Sequence, residues 1–271
     1  MSSLTVIAVV AGLVVGVVLG ALGGGGAILA VPVLVFALHE SPQSATAGSL
    51  VIVGVSSLVA ATSHARRGRV RWAQGLLFGA IGMLGAIVGS RLSLDVQGRT
   101  LLLAFSVLLL FVALLMWRRA SAGAGAATAG EIHSLDIVTF RPTFHVNIPR
   151  VVRVLVAASA VGLLTGFFGV GGGFAAVPAL VLALDFPMPV AVGTSLLVIA
   201  LNSATALSTR LLSGASPTWE VVIPFTIAAI GGSLVGARVS GRIPPARLAR
   251  VFALMLLCVA VYTAVGAGIS H

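Results

Sequence analysis

Two glycine clusters are the residues best placed to bind a ligand. The first occupies 23–26 and the second, Gly-Val-Gly-Gly-Gly, occupies 169–173; each ends one apolar segment and opens the next. Glycine lets the backbone turn sharply and approach a ligand closely, and the free N–H groups at the start of the next helix favour an anion. The alternative is close helix packing through small residues. The candidate anion-binding glycines are Gly23, Gly25, Gly26, Gly169, Gly171, Gly172 and Gly173.

Hydroxyl and amide side chains stand a little further along the chain after each cluster. Ser49 lies at the start of one long apolar run, and Thr194 and Ser195 lie at the start of another. A hydroxyl there can cap the helix or donate to a bound oxyanion. About two turns further along the same runs come Asn202 and Ser203 and, earlier in the chain, Ser56 and Ser57. We expect Ser49, Thr194, Ser195 and Asn202 to contact the anion, with capping and interhelical hydrogen bonds as the alternative.

Two arginines occupy matching contexts near the ends of long apolar segments, Arg91 in GSRLS and Arg238 in GARVS. A charge inside a membrane span is costly and marks a functional candidate, and the guanidinium group suits an oxyanion. The alternative is that both side chains extend to the membrane surface. His64, beside Arg66, is interpreted as an interfacial residue rather than a ligand.

Other kinds of site find no support in the sequence. Neither glycine cluster is followed by the residues of a nucleotide-binding loop, and there is no HExxH motif, G-x-S-x-G motif or Cys/His cluster. The one cysteine is Cys258, inside an apolar run. We therefore expect no enzyme activity, no cofactor and no metal site.

The composition predicts a membrane protein. Of the 271 residues, 59% are hydrophobic and 8% are charged, with a mean hydropathy of +1.17. A soluble domain carries roughly a quarter of its residues as charges. All sixteen basic residues are arginines, and they cluster in gaps between apolar runs. This is the distribution of cytoplasmic loops, whereas a nucleic-acid binder needs a basic face on a soluble fold.

An internal repeat organises the chain. At an offset of 146 residues (169 − 23), glycines, a Val-Pro pair and a Ser-Leu pair of the first half fall on the same residues of the second. The offset then becomes 147 (219 − 72), pairing two tryptophans and the two arginines above. Matches that keep their order over about ninety residues indicate a duplication.

Each half divides into five apolar segments, near 4–21, 26–38, 47–64, 73–92 and 99–117, and near 151–168, 173–184, 193–211, 219–240 and 247–268. Four of each five are long enough to span a bilayer. The second of each set is short and follows a glycine cluster, which is typical of a transporter binding site.

Charge placement favours inverted repeats. If all five segments cross, the loops at 65–72, 118–150 and 241–247 share one side and most of the arginines lie there. If the short segments re-enter instead, the repeats are parallel and the arginines near 242–250 move outside. We therefore predict an all-α polytopic membrane protein with a first transmembrane repeat at 1–117, a cytoplasmic connector at 118–150 and a second, inverted repeat at 151–271.

The doubled motif resembles a known family. The residues GLLTGFFGVGGGFAAVPAL at 162–180, followed by AVGTSLLVIALNSATA at 191–206, look like the TauE/SafE family of sulfite and sulfonate exporters. The first-half copy, GVVLGALGGGGAILAVPVL at 16–34 with ATAGSL at 45–50, resembles the same motif in degraded form. Gly48 stands where Thr194 does, and Ala27 where Gly173 does. The resemblance covers nearly the whole chain apart from 118–150.

The resemblance implies a transporter of sulfur-containing anions such as sulfite, thiosulfate or sulfonates. We expect alternating access in the bacterial cytoplasmic membrane, with both glycine turns converging on one anion near the midplane. The other interpretation is a non-transporting scaffold or docking partner in sulfur metabolism, in which the polar connector would matter more than the glycines. The expected partners are the small anion and the lipid bilayer, with a homodimer as a further option and no nucleic acid.

Overall fold

The computed structural model describes residues 3–93, 96–121, 148–169 and 173–269. Helices dominate these residues, which form no β-strand. They are α1 (Ser3–Leu22), α2 (Gly24–Pro32), α3 (Pro42–Ala65), α4 (Trp72–Leu92), α5 (Gly98–Ser121), α6 (Ile148–Phe168), α7 (Gly173–Ala183), α8 (Met188–Leu212), α9 (Trp219–Ser240) and α10 (Pro245–Ile269), with a π-helical turn at Val33–Ala37 that continues α2.

The predicted class, an all-α polytopic membrane protein, is confirmed. In the described part of the chain, seven helices are long and apolar enough to cross a membrane: α1, α3, α4, α5, α8, α9 and α10. Shorter apolar helices cover 26–37 and 152–168. Helices α5 and α6 extend a few residues into the stretch that we assigned to the connector, and 122–147 lie outside the described residues.

The two short elements end in the same way, which reflects the repeat. His39 and Asp185, 146 positions apart, both adopt left-handed backbone angles, with φ of 55° and 54°. In each case the next N–H donates back to a leucine carbonyl, from Glu40 to Leu34 at 3.0 Å and from Phe186 to Leu180 at 3.2 Å. This six-residue closure satisfies carbonyls that the helix end leaves free.

The halves interlock by exchanging partners. Helix α1 of the first half packs along α9 of the second, and α6 of the second packs along α4 of the first. Three pairs of equivalent helices also meet one another: α2 with α7, α3 with α8, and α5 with α10. This pattern is expected when an approximate two-fold axis relates the halves.

Glycines bring the exchanged helices into backbone contact. A Cβ added at Gly20 would collide with the Ser233 backbone of α9, and one added at Gly166 would collide with the Ala86 backbone of α4. Small residues at such crossings allow close van der Waals packing where no hydrophobic effect drives association. Gly20 and Gly166, which precede the two glycine clusters, therefore serve helix packing. Packing is also the alternative interpretation of the clusters themselves.

The central pair of equivalent helices, α3 and α8, runs antiparallel. At one end, the His64 end, the last turn of α3 meets Gly20, and Arg71 before α4 meets Thr194 near the start of α8. At the other, the Arg210 end, the last turn of α8 meets Gly166, and Gly169 meets Thr46 near the start of α3. Helix α3 therefore points one way and α8 the other.

The first short element runs the length of the bundle rather than turning back. Gly23, before α2, packs against Ser195 towards the His64 end. Glu40, after the π-helical turn, accepts a 2.7 Å hydrogen bond from Thr218, which also meets Ser44 at the Arg210 end. Five end-to-end elements in each half are what inverted repeats require. Inversion across a bilayer itself stays a prediction.

Candidate functional site

Helices α3 and α8 form the enclosed centre of the bundle. Of their span residues, 67% and 72% are buried, against 39–44% in the other long helices. Neither sequence contains an acidic residue. Polar groups on these two helices are therefore shielded from lipid by their neighbours, as a transport route requires.

The turn before α7 is built against α3. Gly169 has φ of +65°, and a Cβ there would stand 2.5 Å from the Thr46 Cβ, so a side chain would be both strained and obstructed. Its carbonyl accepts from the hydroxyl of Ser49, which also lies 3.0 Å from the Thr46 carbonyl. This contact brings together two residues, Gly169 and Ser49, that the sequence predicts to be anion-binding.

A buried arginine lies directly beside this turn. Arg210, near the end of α8, is only 4% exposed. One terminal nitrogen donates to the Ser93 hydroxyl at 2.9 Å and to the Gly166 carbonyl at 3.0 Å, and it lies 3.3 Å from the Cβ position of Gly169. Its Nε has no hydrogen-bond partner among the described residues. These contacts are all neutral, so none of them compensates the charge.

The turn before α2 has the same geometry without the charge. Gly23 also has φ of +65°, and its Cβ position lies 2.8 Å from the Ser195 hydroxyl and 3.0 Å from the Val192 carbonyl. Val192 and Ser195 are the equivalents of Thr46 and Ser49 at the offset of 146. The equivalent of Arg210 is His64, whose Nε2 lies 3.0 Å from the Gly20 carbonyl. One half therefore holds a fixed cation where the other holds an imidazole.

Arginines of the loop between α3 and α4 add positive charge at the His64 end. The Arg67 guanidinium donates to the Ala237 carbonyl near the end of α9. Arg69 lies close by, with both guanidinium groups within 3.6 Å of the Cβ position of Gly241. Burial, and then the nearby Arg67 charge, lowers the pKa of Arg69. This end of the bundle is therefore cationic.

A third polar group lies between the two ends. Ser56 and Ser57 on α3, and Asn202 and Ser203 on α8, are fully buried. Their hydroxyl oxygens and both amide atoms of Asn202 lack partners among the described residues. The Cβ position of Gly82 on α4 lies 2.8 Å from the Asn202 amide, so the missing side chain makes room for it.

Residues 8–263 match the family described as "Sulfite exporter TauE/SafE". The chain belongs to the sulfite exporter TauE/SafE family. A "Probable membrane transporter protein" of Xylella fastidiosa (strain Temecula1 / ATCC 700964) is 34% identical over 266 residues, covering 95% of this chain and 94% of the relative. "Probable membrane transporter protein YunE" of Bacillus subtilis (strain 168) is 27% identical, covering 94% and 95%. No solved structure matches.

This TauE/SafE protein is thus a multi-pass membrane transporter and not an enzyme. The sequence resemblance that led to this class is confirmed. The predicted site residues stay predictions.

The structure brings some of those predicted residues together and separates others. Gly23, Gly169, Ser49, Ser195 and Asn202 lie on or against α3 and α8. Arg91 and Arg238 are exposed near the ends of α4 and α9, the position expected for side chains that extend to the membrane surface. The Thr194 hydroxyl accepts from the Arg71 backbone N–H at 3.1 Å. Gly25 and Gly26 lie in the first turn of α2 and Gly173 opens α7, while Gly171 and Gly172 lie outside the described residues.

One aspect of the site differs from the sequence interpretation. The glycine turns do not converge: Gly23 contacts Ser195 and Gly169 contacts Arg210, and these α8 residues lie about 22 Å apart along the helix at 1.5 Å per residue. His64, which we interpreted as interfacial, lies in the last turn of α3 and is fully buried within the protein.

Sequence reasoning also missed Arg210. The signal was available, because it is an isolated charge in the last turns of the apolar run at 193–211 and pairs with His64 at the offset of 146.

Proposed function

We propose that this TauE/SafE protein carries a small sulfur-containing oxyanion or organosulfonate across the bacterial cytoplasmic membrane by alternating access. The observation that carries the proposal is Arg210, a buried guanidinium group beside the glycine turn at Gly169. Among its described contacts there are only neutral oxygens.

Energetics favour an anion at this position. Burying an arginine costs several kcal/mol, and this cost is offset only by a partner charge with good hydrogen bonds. The described hydrogen bonds of Arg210 all use one terminal nitrogen, and its Nε–H remains unpartnered. An oxyanion accepting from Nε would supply the missing bond and the missing charge.

The surroundings fit the −SO₃ group that sulfite and sulfonates share. Ser93 and Ser49 supply hydroxyl groups close to the guanidinium and the turn. The N-terminus of α7 follows within a few residues, and its dipole favours negative charge. The family description, sulfite exporter, is the reason to prefer sulfur anions over other oxyanions.

The architecture supports alternating access. Helices α3 and α8 run antiparallel, and the two glycine turns lie towards opposite ends of α8. Rocking one interlocked half against the other would open the Arg210 end and the cationic His64 end in turn. Arg67 and Arg69 would attract the anion at the side that the positive-inside rule assigns to the cytoplasm.

Thermal stabilisation of the purified protein tests the proposal. The panel comprises sulfite, thiosulfate, sulfate, taurine, phosphate and acetate. A ligand that binds only the folded state adds about 2.7 kcal/mol at a hundredfold excess over its Kd. We expect one sulfur anion to raise the unfolding temperature selectively. No shift with any of the six compounds would contradict an anion site.

A further inference from the structure

Unpartnered buried polar atoms concentrate on the two central helices. Among the described residues, nine buried side-chain atoms lack a hydrogen-bond partner, and seven of them belong to α3 or α8. The seven are on Ser56, Ser57, His64, Asn202, Ser203 and Arg210. Leaving such atoms unpaired costs about 1–3 kcal/mol each. Seven of them along the α3–α8 contact therefore indicate that a polar molecule or ion binds there.

The packing of α3 on α8 brings four of these residues to one height along the helix axes. They are Ser56, Ser57, Asn202 and Ser203. The Cβ position of Gly54 lies 3.2 Å from the Ser203 Cβ, and the helices run antiparallel. With that register, Ser56 and Ser57 stand within about one helical turn of Asn202 in height. This level lies eight residues, or about 12 Å, from Arg210 along α8 and equally far from His64 along α3.

We infer that Ser56, Ser57, Asn202 and Ser203 form a second, mid-membrane binding site, through which the transported oxyanion passes between the Arg210 end and the His64 end. This inference rests on the proposed function and extends it from one charged site to a route. The four side chains would bind the anion's oxygen atoms through hydroxyl and amide hydrogens.

The chemistry of the cluster suits an anion in transit. Hydroxyl groups and the Asn202 amide can donate, and neither α3 nor α8 contains a carboxylate that would hold a cation. Neutral donors bind an oxyanion less strongly than a guanidinium group does. A weaker intermediate site lets the ion leave Arg210 without becoming trapped in the centre.

The Asn202 amide also lies where the halves meet. It packs against Gly82 of α4, a first-half helix, whereas α8 belongs to the second half. Rocking of the halves would change this contact, so that the amide becomes accessible to the anion only in part of the transport cycle.

The decisive variant is Asn202→Leu, which keeps the side-chain size and removes both polar atoms. We expect thiosulfate flux into proteoliposomes to fall at least tenfold. The thiosulfate Kd, obtained from thermal stabilisation, should stay within twofold of the wild-type value, because Arg210 is intact. The unfolding temperature without anion should be unchanged or higher, since two unpaired buried groups are gone. Ser208→Ala, an exposed hydroxyl change on α8, is the matched control and should transport normally.

Wild-type flux in Asn202→Leu would overturn the inference and leave the cluster as a site for buried water only. Loss of thiosulfate stabilisation in that variant would also overturn it, because Asn202 would then belong to the Arg210 site. If Asn202→Leu does not fold, the double variant Ser56→Ala/Ser57→Ala decides by the same readouts. Wild-type protein that neither binds nor moves thiosulfate, sulfite or taurine would instead refute the proposed function.

Discussion

At the scale of single residues, the most important difference between the two halves is at one pair of equivalent positions, His64 and Arg210. After the duplication, the same place near the end of α3 and α8 holds His64 in one half and Arg210 in the other, each bound to the carbonyl of an equivalent glycine. An imidazole can shed its proton, whereas a guanidinium group stays charged. The two halves therefore offer an anion different electrostatic environments at the two ends of the bundle.

Arg210→Gln removes the buried charge and keeps an amide donor. We expect anion binding to weaken by about 10- to 150-fold, since hydrogen bonds to a charged group contribute about 1.5–3 kcal/mol. Unfolding without anion should shift little, because lost hydrogen bonds and the relieved burial of charge oppose each other. Titrating each variant with thiosulfate or sulfite while following thermal unfolding measures both effects.

Arg247→Gln is the control, since Arg247 is exposed in the first turn of α10 and is not among the predicted site residues. It should bind the anion as wild type does. Equal losses in both variants would mean that overall charge, rather than a site at Arg210, governs the stabilisation.

The sequence could predict the glycine turns but not their surroundings. Gly23 and Gly169 are visible as breaks because both apolar runs stop there. That Gly169 meets Arg210, 41 residues later (210 − 169), depends on how α6, α3 and α8 pack, and no periodicity encodes this. Arg91 and Arg238 attracted notice through their symmetry, although a lone charge such as Arg210 in an otherwise apolar run was the stronger physical signal.

At the scale of elements, the short helices decide the topology. With α2 and its π-helical turn reaching from Ser195 to Thr218, the first half has an odd number of end-to-end elements. If the second half matches it, as the predicted inverted repeats require, the loop at 66–71 and the loop at 213–218 lie on opposite sides of the membrane.

Cysteine labelling tests this arrangement. In a Cys258→Ser background, Arg66→Cys and Ser216→Cys each place one thiol at an exposed loop position. A membrane-impermeant maleimide should label Ser216→Cys in intact cells and Arg66→Cys only after lysis, because arginine-rich loops stay in the cytoplasm. Labelling of both thiols from the same side would mean that the short elements do not cross.

Element positions were largely predictable from the sequence, and element partners were not. Apolar segments near 47–64 and 193–211 became α3 (Pro42–Ala65) and α8 (Met188–Leu212) with small changes at the ends. The repeat offset identifies equivalent helices, yet it does not say that α1 packs on α9 rather than on its own half. That exchange follows from complementary glycine surfaces, which become visible only once two helices are brought together.

At the scale of the whole molecule, the proposed alternating access would require the interlocked halves to move relative to each other. The exchanged pairs α1–α9 and α4–α6 tie each half to the other through backbone contacts, while α3 and α8 meet in the centre. These two closely packed helix pairs flank the polar centre. Such an arrangement is compatible with rocking of the halves about the α3–α8 contact. The charge of Arg210, the neutral middle site and the cationic His64 end would then be visited in sequence.

Flux measured in proteoliposomes is the direct test of whether Arg210 binds the transported anion. Vesicles containing the wild-type protein should take up radiolabelled sulfite or thiosulfate faster than protein-free vesicles. At anion concentrations below the wild-type Kd, the protein-dependent uptake by Arg210→Gln vesicles should be at least tenfold slower. Uptake by Arg210→Gln at the wild-type rate, or no uptake of either anion by wild type, would contradict the account.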